Sequence, residues 1–389
     1  MDWKREAGRE VDRLDARLRQ VSQYLFAHPE LKFEEQLAAE RLAGELEADG
    51  FSVERGAAGL ATALRAEHPA VSTGPAVVVI AEYDALPDLG HACGHNLIAS
   101  AALGAALAVG TIKRELPGRL LFFGTPAEEG GGGKVLMIDA GLFRDIDAAM
   151  MFHPAPFTVV GHGSLAITEV RIEFRGVAAH ASAWPEKGVN ALDAVIQTYN
   201  GINALRQHLR DGSRIHGVIT HGGVKPNIVP DYAAAEFYVR SADSAYRDQL
   251  VDKLRRCAEG AALATGATLT FAPISVPYKA MKRNRTLEEA FARNLGLLKW
   301  PVDVPPAGMT LPMGSTDMGD VSHVVPSLHP YFSICGPEVA GHSREFGVAS
   351  SSERGHRAMM AAAKAMALTA VDLLTSPDLV RDAWSEFRA

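Results

Sequence analysis

Three short apolar runs limit what this chain can fold into: PAVVVIAEYD (Pro75 to Asp84), RLLFFGTPAEE (Arg119 to Glu129) and AAMMFHP (Ala148 to Pro154). None alternates apolar with polar residues, so each predicts a strand buried on both faces. NLIASAALGAALAVG, after the first run, reads as an Ala-rich helix that Asn96 is placed to cap. Strands alternating with helices indicate an α/β domain, whose ligands gather at the carboxyl ends of the strands. His91 to His95, then Glu128 and Glu129, then His153 each follow such a strand end.

From about residue 166 the texture changes. AITEVRIEF, RIHGVITH, YAAAEFYVR and ATLTFAPI read as strands, and the stretches around ALDAVIQTYNGINAL and SAYRDQLVDKLRRCAEGAALA read as helices. Their order gives βαββαβ, the pattern of a ferredoxin-like unit. Mixed texture resumes near Val276 and ends in a long Ala/Met-rich helix from Ser351. A chain of 389 residues is long for one domain. The expected division is therefore one α/β domain over residues 1–165 and 276–389, interrupted by a compact unit at 166–275. Val11, Leu14, Leu18, Val21 and Leu25 recur at helical spacing and predict an amphipathic N-terminal helix.

A net charge of −7 without a basic block argues against nucleic acid or an anionic membrane as partner. The N-terminus is charged from Asp2 and lacks the apolar core of a secretory signal, and no apolar run is read as reaching membrane-spanning length. Cys93, Cys257 and Cys335 make no disulfide framework, so a reducing, cytoplasmic setting is expected.

In HACGHN, His91, Cys93 and His95 can share one face of an extended segment. Thiolate with imidazole suits zinc or another late first-row metal. By spacing alone, a packed thiol or a Cys93–His95 nucleophilic pair remains open. Glu128 and Glu129 are delivered by an apolar strand, and two such acids can divide metal binding from proton transfer. The GGGGK run is not a phosphate loop, because Glu128 stands at the first glycine position and Val135 where Ser or Thr is required. HExxH, GxSxG and paired CxxC signatures are absent.

AEYDALP, HACGHN, GTPAEEGGGGK, FHP, GVAAHASAWPEKGVNA, GGVKPNIVP and MGSTDMGDVSHVVPSLHP occur in this order along nearly the whole chain. Together they resemble the M20 metallopeptidase family, in its amidohydrolase branch. The Asn96 and STD variants resemble its p-aminobenzoyl-glutamate hydrolases and PM20 domain-containing dipeptidases. The resemblance implies a phosphorylase/hydrolase-like catalytic domain with an inserted ferredoxin-like lid and dimerisation domain, hence a homodimer. It implies two divalent ions per subunit, zinc or manganese with cobalt possible, held by Cys93, His95, Glu129, His153 and His342. Cys93 would be shared between the ions, and His91 would not be a ligand. Glu128 matches the general base, and Asp84 the acid that orients an imidazole ligand. His180 matches a histidine that reaches the partner subunit's site and stabilises the oxyanion. Asn227 and Arg240 match residues that grip the substrate's carbonyl and carboxylate. The expected activity is amide or dipeptide hydrolysis of small carboxylate-bearing substrates. Deamination of an aromatic substrate and metal-dependent binding without catalysis are the alternatives.

Overall fold

The computed structural model describes residues 2–70, 72–304 and 311–389. The chain divides into two compact units. One runs up to Gly163 and takes in Met281–Met313 and Asp320–Ala389, and the other comprises Ser164–Ala280 and Gly314–Gly319. The short return to the second unit is tied by the Leu165 N–H, which donates to Gly314 O at 2.8 Å.

The first unit begins with β1 (Ser52–Arg55), β2 (Leu64–Glu67), β3 (Ala76–Glu82), β4 (Arg119–Thr125), β5 (Ala148–Met150) and β6 (His153–Ala155). The second holds β7 (Ala166–Arg175), β8 (Arg214–His221), β9 (Tyr232–Ser241) and β10 (Thr268–Pro273). The chain then adds β11 (Ser327–Leu328) and β12 (Tyr331–Ser333) to the first unit.

The main sheet of the first unit runs β1-β2-β4-β3-β5-β11. β3 lies parallel to both β4 and β5, and every one of its residues is buried. This is what an unalternated apolar run requires. A separate parallel pair, β6 with β12, carries the chain onward from His153. The helices His95–Ile112 and Glu353–Thr375 bury nearly their whole length.

Three sequence expectations are corrected here. The N-terminal helix is two helices, Trp3–Arg13 and Asp15–Ala27, meeting at Leu14. Two helical stretches, His95–Glu115 and Glu353–Thr375, are in fact long and apolar enough to cross a membrane. They are core helices, with 89% and 83% of their apolar windows buried. Asn96 does not cap: the helix already begins at His95 behind Gly94, which places Asn96 inside its first turn. The Asn96 amide instead donates to Ser22 Oγ at 2.9 Å and Ser350 O at 3.0 Å, tying three segments of the core together.

The second unit is the βαββαβ arrangement anticipated from its sequence. Its strands form one antiparallel sheet in the order β10-β7-β9-β8. Val170, Ile172 and Phe174 alternate inward along β7 and share a core with the helices Ala191–Leu205 and Ser244–Thr265. β8 lies at the sheet edge, and Ile215 is its one buried residue.

Candidate metal centre

The parallel strands deliver their chemistry at one rim. β3 ends at Glu82, with Asp84 two residues on, and the stretch after β4 carries Glu128 and Glu129. His153 opens β6, and Cys93 and His95 flank the turn into the helix His95–Ile112. That turn needs Gly94. Its φ is 81°, and an added Cβ would lie 2.8 Å from Pro154 Cγ. Glycine therefore lets the Cys93–His95 turn sit directly against the residue that follows His153.

Among residues of the first unit, donor atoms converge here in three overlapping groups: Cys93 with His95 and His153; Cys93 with Glu129 and His342; and His95 with Glu128 and Glu129. Within each group the atoms all lie within 4.8 Å of one another. All five residues expected to hold metal, and the expected base, thus come together. His342 arrives from a loop held by its own N–H, which donates to Ala92 O at 3.0 Å. Its Nε2 is 3.4 Å from Glu129 Oε1.

Asp84 organises two of these side chains at once. Its Oδ1 lies 3.0 Å from His95 Nδ1, its backbone oxygen lies 2.9 Å from the same nitrogen, and its Oδ2 accepts the Glu129 N–H at 2.9 Å. Facing two oxygens, Nδ1 carries a ring proton and turns Nε2 towards the site. Burial opposes charge on this ring, but Cys93 and Asp84 outweigh it and raise its pKa well above the usual value, so a cation taken at Nε2 would displace a proton. Burial opposes ionisation of Asp84, but the adjacent imidazole outweighs it and holds the carboxyl below the usual carboxylate range. His153 is fixed in the same sense. Its Nδ1 donates to Pro154 O at 2.7 Å and its Nε2 sits 3.5 Å from Cys93 Sγ. Burial lowers its pKa to about 4, so it is neutral and able to ligate.

The donor set fits divalent cations. His95 Nε2 and Glu129 Oε1 are buried without a hydrogen-bond partner, an arrangement that is costly unless a cation completes it. Burial also pushes the Cys93 thiol up, so a thiolate at this position calls for positive charge beside it. His91 stands apart. It is buried, burial lowers its pKa to about 4, and it belongs to none of the three groups.

Three residues at this rim, Glu82, Lys134 and His329, escaped the reading of the sequence. Lys134, weighed only as a phosphate-loop lysine, is wholly buried and pairs with the equally buried Glu82 at 2.5 Å. The other Glu82 oxygen is 3.6 Å from His95 Nε2. An apolar strand ending in a buried acid calls for a buried counter-charge, and the lysine that closes GGGGK was the available one. His329 was also missed as a neighbour; its ring meets that of His153 edge-on, centroids 5.7 Å apart.

The other three expected residues belong to the second unit. His180 and Asn227 are exposed and adjacent: the Ala181 N–H donates to Asn227 O at 3.0 Å, and His180 bridges to Ile228. The Ser182 and Ala183 N–H groups donate to His180 Nδ1 at 3.4 and 3.3 Å, which assigns the ring proton to Nε2. Arg240 lies at the far end of β9, where its Nη1 donates to Ser315 Oγ at 3.0 Å. At roughly 3.3 Å per residue, Arg240 is about 26 Å along the strand from Tyr232, at whose end the Asn227 loop arrives. The second unit therefore keeps His180 and Asn227 together and Arg240 away from both.

Comparison with known proteins follows the same division. A family model described as a peptidase dimerisation domain matches residues 163–265. The Xaa-Arg dipeptidase of Mus musculus is 39% identical, over 99% of this chain and 92% of its own length. A p-aminobenzoyl-glutamate hydrolase polypeptide of Escherichia coli K12 is 30% identical, over 97% of this chain and 92% of its own length. Among solved structures, one from Bacillus subtilis described as a dinuclear metal binding peptidase from the M20 family superposes with a TM-score of 0.71. It is 23% identical and the match covers 93% of this chain and 99% of that one.

Proposed function

The chain belongs to the M20 peptidase family of metal-dependent amidohydrolases, and from that premise we propose that it hydrolyses the amide bond of small carboxylate-bearing substrates at the Asp84-organised rim. The observation that carries this reading is Glu128 beside a ready donor set, its carboxylate within 4.8 Å of the donor atoms of His95 and Glu129. Two divalent cations, zinc or manganese, held by Cys93, His95, Glu129, His153 and His342, would supply the charge that acidifies water and polarises a carbonyl. Glu128 takes a proton from the attacking water and returns it to the leaving nitrogen. Asp84 keeps the His95 lone pair aimed while this happens. His180, donating from Nε2, meets the oxyanion, Asn227 holds the carbonyl, and Arg240 pairs with the free carboxylate.

The separation of His180 and Asn227 from Arg240 supports a homodimer. One small substrate cannot reach both ends of β9, so we assign the first pair to the partner subunit's site. The exposed edge strand β8, with Val218 and Ile219 turned to solvent, offers a surface on which two copies can join. Mixing two inactive variants tests this. His180→Ala and Glu128→Gln subunits, unfolded and refolded together, should regain about a quarter of wild-type activity, since half the dimers are hybrid with one intact site each. Failure to regain activity, with hybrid dimers verified by mass, would return His180 to its own subunit's site or to no site.

The substrate class is tested directly with the purified protein. The panel comprises dipeptides ending in arginine, N-acyl amino acids and p-aminobenzoyl-glutamate, the first and last suggested by the relatives' names. At least one should release its amino acid, a chelator should abolish the release, and zinc or manganese should restore it. Chelator-insensitive turnover would overturn the metal assignment. Ammonia release from an aromatic amine, without amide cleavage, would favour deamination.

A further inference from the structure

Ala127, immediately before the two acids, is in the left-handed region with φ 58°, a conformation that a residue with a Cβ seldom holds unaided. The chain folds back there tightly. Gly131 and Gly132 N–H groups donate to Ala127 O at 3.0 and 2.8 Å, and a Cβ on Gly131 would fall 2.5 Å from the Ala127 methyl. What grips the Ala127 amide is a distant carboxylate. Glu35 Oε1 accepts the Ala127 N–H at 2.8 Å and the Phe33 N–H at 2.9 Å, while Oε2 accepts the Thr62 hydroxyl at 2.7 Å. Glu35 is wholly buried, and three donors converge on it. Phe33 is itself left-handed at φ 64°, so one carboxylate restrains two strained turns.

Nothing in the proposed reaction uses Glu35, and its place in the core calls for no charge. We propose that Glu35 is a positioning residue. By clamping the Ala127 amide it fixes the turn from which Glu128 is presented to the His95 and Glu129 donor atoms. This rests on Glu128 being the proton carrier. Glu35 touches neither substrate nor metal, so its loss should act on kcat alone.

Four variants carry the test, each assayed for kcat, KM, bound metal and thermal melting. Glu35→Ala should lower kcat about 100-fold, the effect of a misplacement of about 1 Å, with KM within about threefold and metal content unchanged. Glu35→Gln should recover most of that loss, because its carbonyl accepts both N–H groups and its amide donates to Thr62. Adding Ala127→Gly to Glu35→Ala should recover at least about tenfold, since glycine adopts this φ without a clamp. Should Glu35→Ala not fold, Glu35→Asp, which keeps the charge but falls short of the Ala127 amide, replaces it with the same expected loss. A kcat within about threefold of wild type in Glu35→Ala, or in Glu35→Asp, overturns the proposal. So does a loss that tracks metal or melting temperature and that is repaired neither in Glu35→Gln nor by the added glycine. Glu128→Gln run alongside separates the two levels: if it is active, the role of Glu128 fails, and if it is inactive while the Glu35 variants keep full kcat, only the clamp fails.

Discussion

Glu128→Gln should lower kcat by about 10²–10⁴-fold, the usual worth of a general base, while bound metal per subunit stays at the wild-type value. The amide keeps the size of the side chain and its place in the turn after Ala127, but it cannot accept a proton. Glu129, which stands next to it, is the contrasting control. Its Oε1 faces His342 Nε2 at 3.4 Å and its N–H is held by Asp84, so Glu129→Gln should lose metal along with activity. Metal analysis with single-substrate kinetics on the two variants makes the comparison. Turnover by Glu128→Gln within a few-fold of wild type would remove it from the mechanism. Depletion of its metal would make it a ligand instead.

Cys93→Ser should empty the centre. Cys93 is common to two of the donor groups, one with His95 and His153 and the other with Glu129 and His342. A single substitution therefore withdraws a ligand from both sides. The loss of affinity should exceed the 10–100-fold typical of removing a residue that merely orients a ligand. Competition against a chromophoric chelator reads this directly, and activity should return at high added zinc or manganese. A serine variant that keeps full metal yet does not turn over would mean that the thiol attacks substrate. The buried setting of Cys93 argues the other way, since burial pushes its thiol up and reactive cysteines are held low.

The apolar runs were enough to read the architecture, because a strand buried on both faces has no alternative but a sheet covered by helices. The same logic located four of the donor residues, since Cys93, His95, Glu129 and His153 all lie on the stretches that follow the ends of β3, β4 and β5. His342 obeys no such pattern. It lies in an irregular loop, with φ 59°, and only the family resemblance marked it. Glu82, Lys134 and Glu35 were illegible for another reason. Each is a buried charge whose meaning lies in a partner far along the chain, and periodicity reports which face is apolar, not which charges meet. The misread cap at Asn96 is a boundary error of two residues. Gly94 takes the capping place because the chain must turn left-handed between Cys93 and His95, and that requirement outranked the preference of asparagine for helix starts.

The donor residues are drawn from both sides of the second unit in the sequence. Cys93, His95, Glu129 and His153 precede it, and His342 follows it. Bound cations would thus act as a crosslink that closes a loop containing the entire inserted unit. Long loops cost little more to close than moderate ones, so gathering ligands from both sides of the insertion is thermodynamically inexpensive. Binding that favours the folded chain would then let metal supply bear on how firmly the two halves of the first unit stay joined, as well as on the proposed catalysis at the rim.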